Sequence, residues 1–424
     1  MKLKTLSLAV LLSSAFVANA ATFSKPDTAF LEGAAASGMP VELWDSAEYA
    51  ASSFPNAYKF TPSYEIERSG LAPEQFKTDK SLDFNKIMVP AIDGEMSLND
   101  FLRDRVKNHS MVVLKGDQML HEHYWNNMDE HSTHLDMSVT KSFTAMLAGI
   151  AAAEGKLDMS KQVTDYLPEL KGSAWDGATV QETADMRTSV IQEIQKHKSW
   201  DTRMTDSQGW NGDFSETYPN GIKDYFPMVK EVSAPMGSKY SYQCINTEVL
   251  GKVVEAATGE KLADLLEKQI WGKVGMGENA HYQADFAGNP VASGGLNAAT
   301  KDLARVGRML MNGGKNYKGE QVVPAEFINS ILEGNDEVRT AWLKGKESAL
   351  AEGWYKDQFR SLNINGRQIM AMVGILGQVV AMDHKTGTVV AMNGGYPQTE
   401  TPRMAIAIFY KVLPAIFAAA DEVK

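Results

Sequence analysis

Ser138-Val139-Thr140-Lys141 sets a hydroxyl and an amine three residues apart. On a helix that spacing puts both side chains on one face, with the lysine one turn further in. A serine in the first turn also sits where unpaired backbone N–H groups and the positive end of the helix dipole are available. Phe143, Met146, Leu147 and Ile150 recur behind it at helical spacing and would surround the amine with apolar groups. A desolvated lysine gives up its proton more readily, so Lys141 is a candidate base for the Ser138 hydroxyl. The bland alternative is a helix cap followed by a surface lysine. A second candidate group lies in PMGSKYSYQCINTEVLG, residues 235–251, where Tyr240 and Tyr242 alternate ahead of a helix beginning near Asn246. Taken alone, Tyr242 reads as a core or interface aromatic. At a loop-to-helix junction it could equally pass a proton to a leaving group.

These residues need elements to position them. Ser97 with Asp100 marks a helix start, and 110–124 reads as a hairpin turning at Gly116-Asp117. The central helix follows from about Ser138. Residues 154–290 are mainly helical and loop, with short helices at 179–186, 246–258 and 261–270 and a polar, tryptophan-bearing stretch at 197–225. Amphipathic helices follow at 299–312 and 324–331. RQIMAMVG, GQVVAMD and TVVAMNG are then three β-rich runs, and 402–419 is an apolar helix. Two strands early and three late predict one antiparallel sheet built from both chain ends, an α/β fold of the α+β type with a mostly helical insertion. The expected divisions are 1–20, 21–97, 98–153, 154–290 and 291–424. Residues 21–97, rich in proline, serine and alanine, read as a lead-in over the body with one short helix near 46–53.

The set of motifs resembles the serine β-lactamase and penicillin-binding-like hydrolases, closest to the branch of aminohexanoate-dimer hydrolases and carboxylesterases. Eight ordered blocks carry the resemblance. They are Ser138–Phe143, Glu154–Asp158 with Val163–Leu170, Thr179–Ser189, Gly237–Gly251, Leu262–Met276, Ser293–Leu296, Ala299–Arg305 and Gly374–Gln378. The resemblance implies that Ser138 is acylated, Lys141 is its base and Tyr242 relays a proton. It implies an oxyanion hole from the backbone N–H groups of Ser138 and Ile375, since the developing negative oxygen needs donors already aimed at it. The substrate expected is a small amide or ester. A β-lactamase or D,D-peptidase is the second reading, and a non-catalytic cell-envelope binding protein the third.

Departures from the family shape the pocket. Lys385-Thr386-Gly387 looks like the family's third motif but falls in the turn between two strands. The matching position is Met372-Val373-Gly374-Ile375, with no lysine or hydroxyl, followed by Leu376. Cys244 stands where an asparagine is expected, so Met372, Gly374, Leu376 and Cys244 are the expected pocket residues. His121, Glu122, His123, His131, His134 and Asp136 invite a metal reading, but they lack a HExxH spacing, and structural or surface histidines are expected instead. His384 is expected to be solvated in its turn, and Asp185 and Arg187 to join domains. Trp200 to Trp210 is the expected roof of the pocket, with Trp354 and Tyr355 on its other wall. Neither a phosphate loop nor a Gly-x-Ser-x-Gly elbow occurs.

The 424 residues carry a formal charge of −11 with no basic tract, which argues against nucleic acid. The single cysteine, Cys244, excludes an internal disulfide and any thiolate metal cluster. Lys2 and Lys4, an uncharged apolar run and Ala18-Asn19-Ala20 read as a secretory signal, so a periplasmic or secreted protein is expected, with no cofactor and no later membrane segment.

Overall fold

The computed structural model describes residues 20–68, 70–92, 94–192, 201–397 and 402–423. The signal reading at 1–20 therefore falls almost wholly outside the described residues, as does Trp200. Strands run in the order β1 (Thr22–Ser24), β2 (Ser63–Ile66), β3 (Met88–Ala91), β4 (Gly94–Ser97), β5 (Asn108–Lys115), β6 (Gln118–Tyr124) and β7 (Thr133–Leu135). They continue with β8 (Ala280–Gln283), β9 (Leu296–Ala299), β10 (Glu352–Lys356), β11 (Phe359–Ile364), β12 (Arg367–Gly374), β13 (Gln378–Asp383) and β14 (Thr388–Gly394). The helices used below are α1 (Thr28–Ala36), α2 (Thr140–Ala153), α3 (Val180–Ala184), α4 (Cys244–Thr258), α5 (Thr300–Met311) and α6 (Pro402–Asp421).

The main sheet is antiparallel throughout, ordered β10-β11-β12-β13-β14-β5-β6. It joins two early strands to five late ones, two more than the three periodic runs announce. The period of two divides each central strand between two cores. Val389 and Ala391 of β14 face one core, which also holds Phe143 and Met146 of α2, and Val390 and Met392 face the other, with Leu413 and Ile416 of α6. Both faces are thus covered, and the strands read as continuous apolar runs rather than as half-polar ones. Helix α5 lies across β14, β5 and β13. It comes close because residue 307 is glycine: a Cβ there would stand 2.5 Å from Val389 Cγ1.

A second sheet, ordered β1-β2-β8-β9-β7, corrects the reading of residues 21–97 as a mere lead-in. That segment contributes β1, β2, α1 and the separate β3–β4 hairpin. Its Trp44, Phe54 and Phe60 form a third core together with Leu135, Met137 and Leu376. At its start, the Ala21 backbone N–H donates to Asp264 Oδ1 at 2.8 Å. Strands β8 and β9 pair with each other, so this sheet bridges the division drawn at 290. Helix α6, at 20 residues and a mean hydropathy of 1.6, is long and apolar enough to cross a membrane, but here Leu413, Ile416, Phe417 and Ala420 pack it against the main sheet.

Candidate active site

Ser138 lies in the single 3₁₀ turn Met137–Val139 that leads into α2. Met137, just before it, holds a left-handed backbone (φ 48°), a costly conformation for a non-glycine residue that turns the chain sharply at the serine. Ser138 is half-buried and keeps access to solvent, whereas Lys141 is 1% exposed. The Lys141 amine is 2.8 Å from Ser138 Oγ and donates to the Ser293 carbonyl at 2.6 Å. Its surroundings are neutral at contact distance, and no carboxylate pairs with it among the described residues.

Tyr242 approaches from the segment preceding α4, and its phenol interacts with the Ser138 side chain. The Lys141 amine lies over the ring, 5.1 Å from its centroid, and the Arg360 guanidinium lies over it at 5.0 Å. Tyr355 meets it edge-on at 6.1 Å. Burial pushes the Tyr242 phenol well above its ordinary value and neighbouring Cys244 adds to this, while Arg360 and the Ser138 hydroxyl pull it back. Arg360 is fixed in turn by Glu347, which accepts from Nε at 2.7 Å and from Nη2 at 2.9 Å and also takes the Tyr240 hydroxyl at 2.7 Å. Burial would raise the Glu347 carboxyl, but Arg360 overrides it and holds the group below its ordinary range.

The end of β12 closes the other side. A Cβ on Gly374 would stand 2.7 Å from the Asp136 carbonyl and 3.0 Å from the Ser138 nitrogen, so only glycine lets the strand meet the serine turn this closely. Ile375–Gly377 then forms one turn, with Leu376 left-handed (φ 63°), before β13 begins. Beneath it Asp136 is fully buried, and burial drives its carboxyl well up; Asn393 donates to its Oδ1 at 3.2 Å.

Ser138, Lys141, Tyr242, Cys244, Gly374 and Ile375 are thus brought together. Met372 and Leu376 are not pocket walls: both are fully buried in separate cores, so neither offers surface to a substrate. Trp210 is no roof either. Its indole packs on Trp44 at 5.0 Å and donates to Asp45 at 2.8 Å, inside the amino-terminal core. Trp354 points to the opposite face of β10 from Tyr355, donating to the Ile331 carbonyl at 2.7 Å. Lys385-Thr386-Gly387 is the turn after Asp383, whose carboxylate takes the Thr386 hydroxyl at 2.9 Å. That is the far end of β13, roughly 17 Å from Gly374 at ordinary strand rise.

Among the histidines, His134 belongs to β7 and is fully buried, 3.0 Å from His109. His121 and His123 bond to each other at 2.8 Å, and His121 stacks on Phe84. His384 is half-enclosed rather than solvated, with Nε2 buried and unpaired. Among the described residues no group of three or more His, Cys, Asp or Glu side chains is placed to hold a metal ion. An open cleft of about 970 Å³ between Pro55, Tyr58, Asn126, His131, Glu278 and His281 includes none of the Ser138 cluster.

Several supports escaped the sequence. Gln358 sits in the two-residue turn Asp357-Gln358 between β10 and β11, both residues left-handed (φ 48° and 62°). Its carbonyl takes the Ser142 hydroxyl at 2.8 Å, its Oε1 takes Thr247 at 2.9 Å, and its Nε2 donates to the Ala184 carbonyl at 2.7 Å. One residue thereby ties α2, α4 and the end of α3 together. The alternation on either side of Asp357-Gln358 was the available signal, but the turn lacks the glycine that usually announces such a hairpin. Asp185 and Arg187 do join segments: Asp185 accepts from the Asp357 backbone at 3.0 Å, and Arg187 reaches Glu337 at 3.0 Å.

A fold of this kind with a serine–lysine pair at a helix entrance defines a class, and the comparison of sequences agrees: residues 98–412 match the beta-lactamase family model, and the chain belongs to that family of serine hydrolases. Over 382 residues it is 29% identical to the 6-aminohexanoate-dimer hydrolase of Paenarthrobacter ureafaciens, covering 87% of this chain and 91% of that one. A solved Bacillus anthracis structure, provisionally assigned as a 6-aminohexanoate-dimer hydrolase, superposes with a TM-score of 0.78 at 25% identity, over 90% of this chain and 96% of the other. A family VIII carboxylesterase shares the fold, with a TM-score of 0.55 at 14% identity over 76% of this chain and 95% of that one.

Proposed function

We propose that this protein hydrolyses small amides or esters through an acyl-enzyme on Ser138. The observation that carries the reading is the buried Lys141 amine 2.8 Å from Ser138 Oγ, with the Tyr242 phenol beside both. In the neutral form Lys141 accepts the hydroxyl proton as Oγ attacks the carbonyl carbon. The oxygen that becomes negative is met by the backbone N–H groups of Ser138 and Ile375, fixed in place by the close approach at Gly374. Tyr242 then hands a proton to the departing amine or alcohol, replenished from Lys141, and water attacks the acyl-enzyme along the same path. Arg360 and Lys141, both over the Tyr242 ring, ease the transient loss of its proton. The relatives support an amide or ester substrate, and the absence of a lysine at Met372 disfavours penicillins. Residues 1–20 support export as a cleaved leader. Intact mass after treatment with a fluorophosphonate tests the mechanism: a single adduct on Ser138, absent in Ser138→Ala, is expected, and labelling of the alanine variant would overturn it. A panel of p-nitrophenyl esters, linear amides and nitrocefin then sorts the substrates.

A further inference from the structure

Lys141 donates to the Ser293 carbonyl at 2.6 Å, and the same short segment is gripped from behind by Glu248. Glu248 stands on α4 one turn beyond Cys244 and is 2% exposed. Its Oε1 accepts the Ser293 N–H at 3.0 Å and Gln208 Nε2 at 3.0 Å, and its Oε2 accepts the Ala292 N–H at 3.0 Å. The Ala292 carbonyl in turn accepts the Thr144 hydroxyl of α2 at 2.9 Å. Helix α4 comes this near because residue 251 is glycine, where a Cβ would stand 2.9 Å from that of Ala292. No cation is within ion-pair distance of Glu248 among the described residues, so a buried carboxylate is satisfied by neutral donors alone. The cation that acts on it is Lys141, across the Ser293 peptide.

Resting on the assignment of Lys141 as the base, we propose that Glu248 is its positioning residue. The carboxylate holds the Ala292–Ser293 backbone so that the Ser293 carbonyl meets the amine, and it places a buried negative charge behind that carbonyl. The grip fixes the direction of the lysine lone pair toward Ser138. The charge favours the ammonium form, which readies Lys141 to return a proton through Tyr242 once the amine has acted. The other ionisable groups facing Lys141 are Tyr242 and Tyr355, and Glu248 is also faced by Tyr282 from β8. None of these three supplies a negative charge at neutral pH, which leaves Glu248 as the group whose removal should be felt.

The test is the rate of Ser138 phosphonylation by a fluorophosphonate as a function of pH, read by intact mass on the full chain. In Glu248→Gln, which keeps an acceptor but loses the charge, the acid limb should move down by at least about one pH unit. In Glu248→Asp, which keeps the charge but cannot span both N–H groups, the limb should stay in place while the rate falls roughly tenfold or more. A limb unmoved in Glu248→Gln overturns the proposal. Should that variant fail to fold, Glu248→Asp decides: a wild-type rate overturns the grip. Wild-type protein that does not label at Ser138 overturns the assignment of nucleophile and base instead, so the two failures are distinguishable.

Discussion

Two lysines are buried among the described residues, and they are held in opposite ways. Lys356, 8% exposed at the end of β10, is clamped to Asp357 Oδ2 at 2.8 Å, with Asp185 adding to the field. Burial alone would lower its pKa, but the two carboxylates win and raise it, so it is a permanent cation joining the β10–β11 turn to the end of α3. Lys141, at 1% exposed, touches a hydroxyl, a carbonyl and the face of an aromatic ring, and its carboxylate stands one peptide away rather than in contact. Burial is common to both. What separates a structural cation from a group able to exchange a proton is whether the partner at contact distance is charged.

That contrast is sharpest if broken at the nucleophile. Ser138→Ala should abolish turnover, a loss of about 10⁴-fold or more, with an unchanged thermal midpoint. Lys141→Met should cost about 10³-fold in the rate of Ser138 acylation, measured by adduct formation, with a smaller loss of stability than Lys356→Met because no carboxylate in contact with the amine is orphaned. Lys356→Met should do the reverse. It strands Asp357, leaves Asp185 with Arg187 alone at 3.5 Å, and should cost about 3 kcal/mol in denaturant unfolding, while the acylation rate of the folded protein stays within about tenfold. If Lys356→Met instead silenced the site with stability intact, the distinction drawn here would fail. Tyr242→Phe should fall between, slowing turnover about 10²-fold while acylation by a fluorophosphonate, whose leaving group needs no proton, is affected less.

The smallest effect concerns groups held neutral. Desolvation lowers His109 to about 4 and His123 to about 3, against an ordinary 6.5. With their folded pKa values depressed, both histidines bind protons more readily once the chain unfolds. Their contribution to stability is therefore complete above about pH 6.5 and is lost as the pH falls toward 4. The thermal midpoint should drop by roughly 5 °C over that interval, and His123→Gln, which can still donate to Asn108, should flatten the slope.

Where chemistry and periodicity shared a single segment, the sequence was readable. The Ser138–Lys141 pair sits on a helix whose apolar positions repeat at 3.6, and β12 carries five apolar residues in a row, β13 and β14 four each. The second sheet was not readable, for two reasons. Its strands are only three or four residues long, too short for a period of two to emerge, and their pairings reach across up to 220 positions, as between Ser63 and Gln283. Met372 and Leu376 were placed in the pocket by alignment alone, but adjacent strand residues face opposite ways and the Ile375–Gly377 turn buries Leu376. Gln358 and Glu248 act on partners forty or more residues away, and no local pattern marks them.

The hydrogen bond at Ala21 has its own consequence. A chain severed after Ala20 begins at the residue whose nitrogen already rests 2.8 Å from Asp264. Removal of residues 1–20 would convert that amide into an ammonium at the same spot, exchanging an amide–carboxylate hydrogen bond for an ion pair that ties the start of β1 to the helical segment 262–266. If residues 1–20 are removed as proposed, the cut would tighten the molecule instead of merely shortening it.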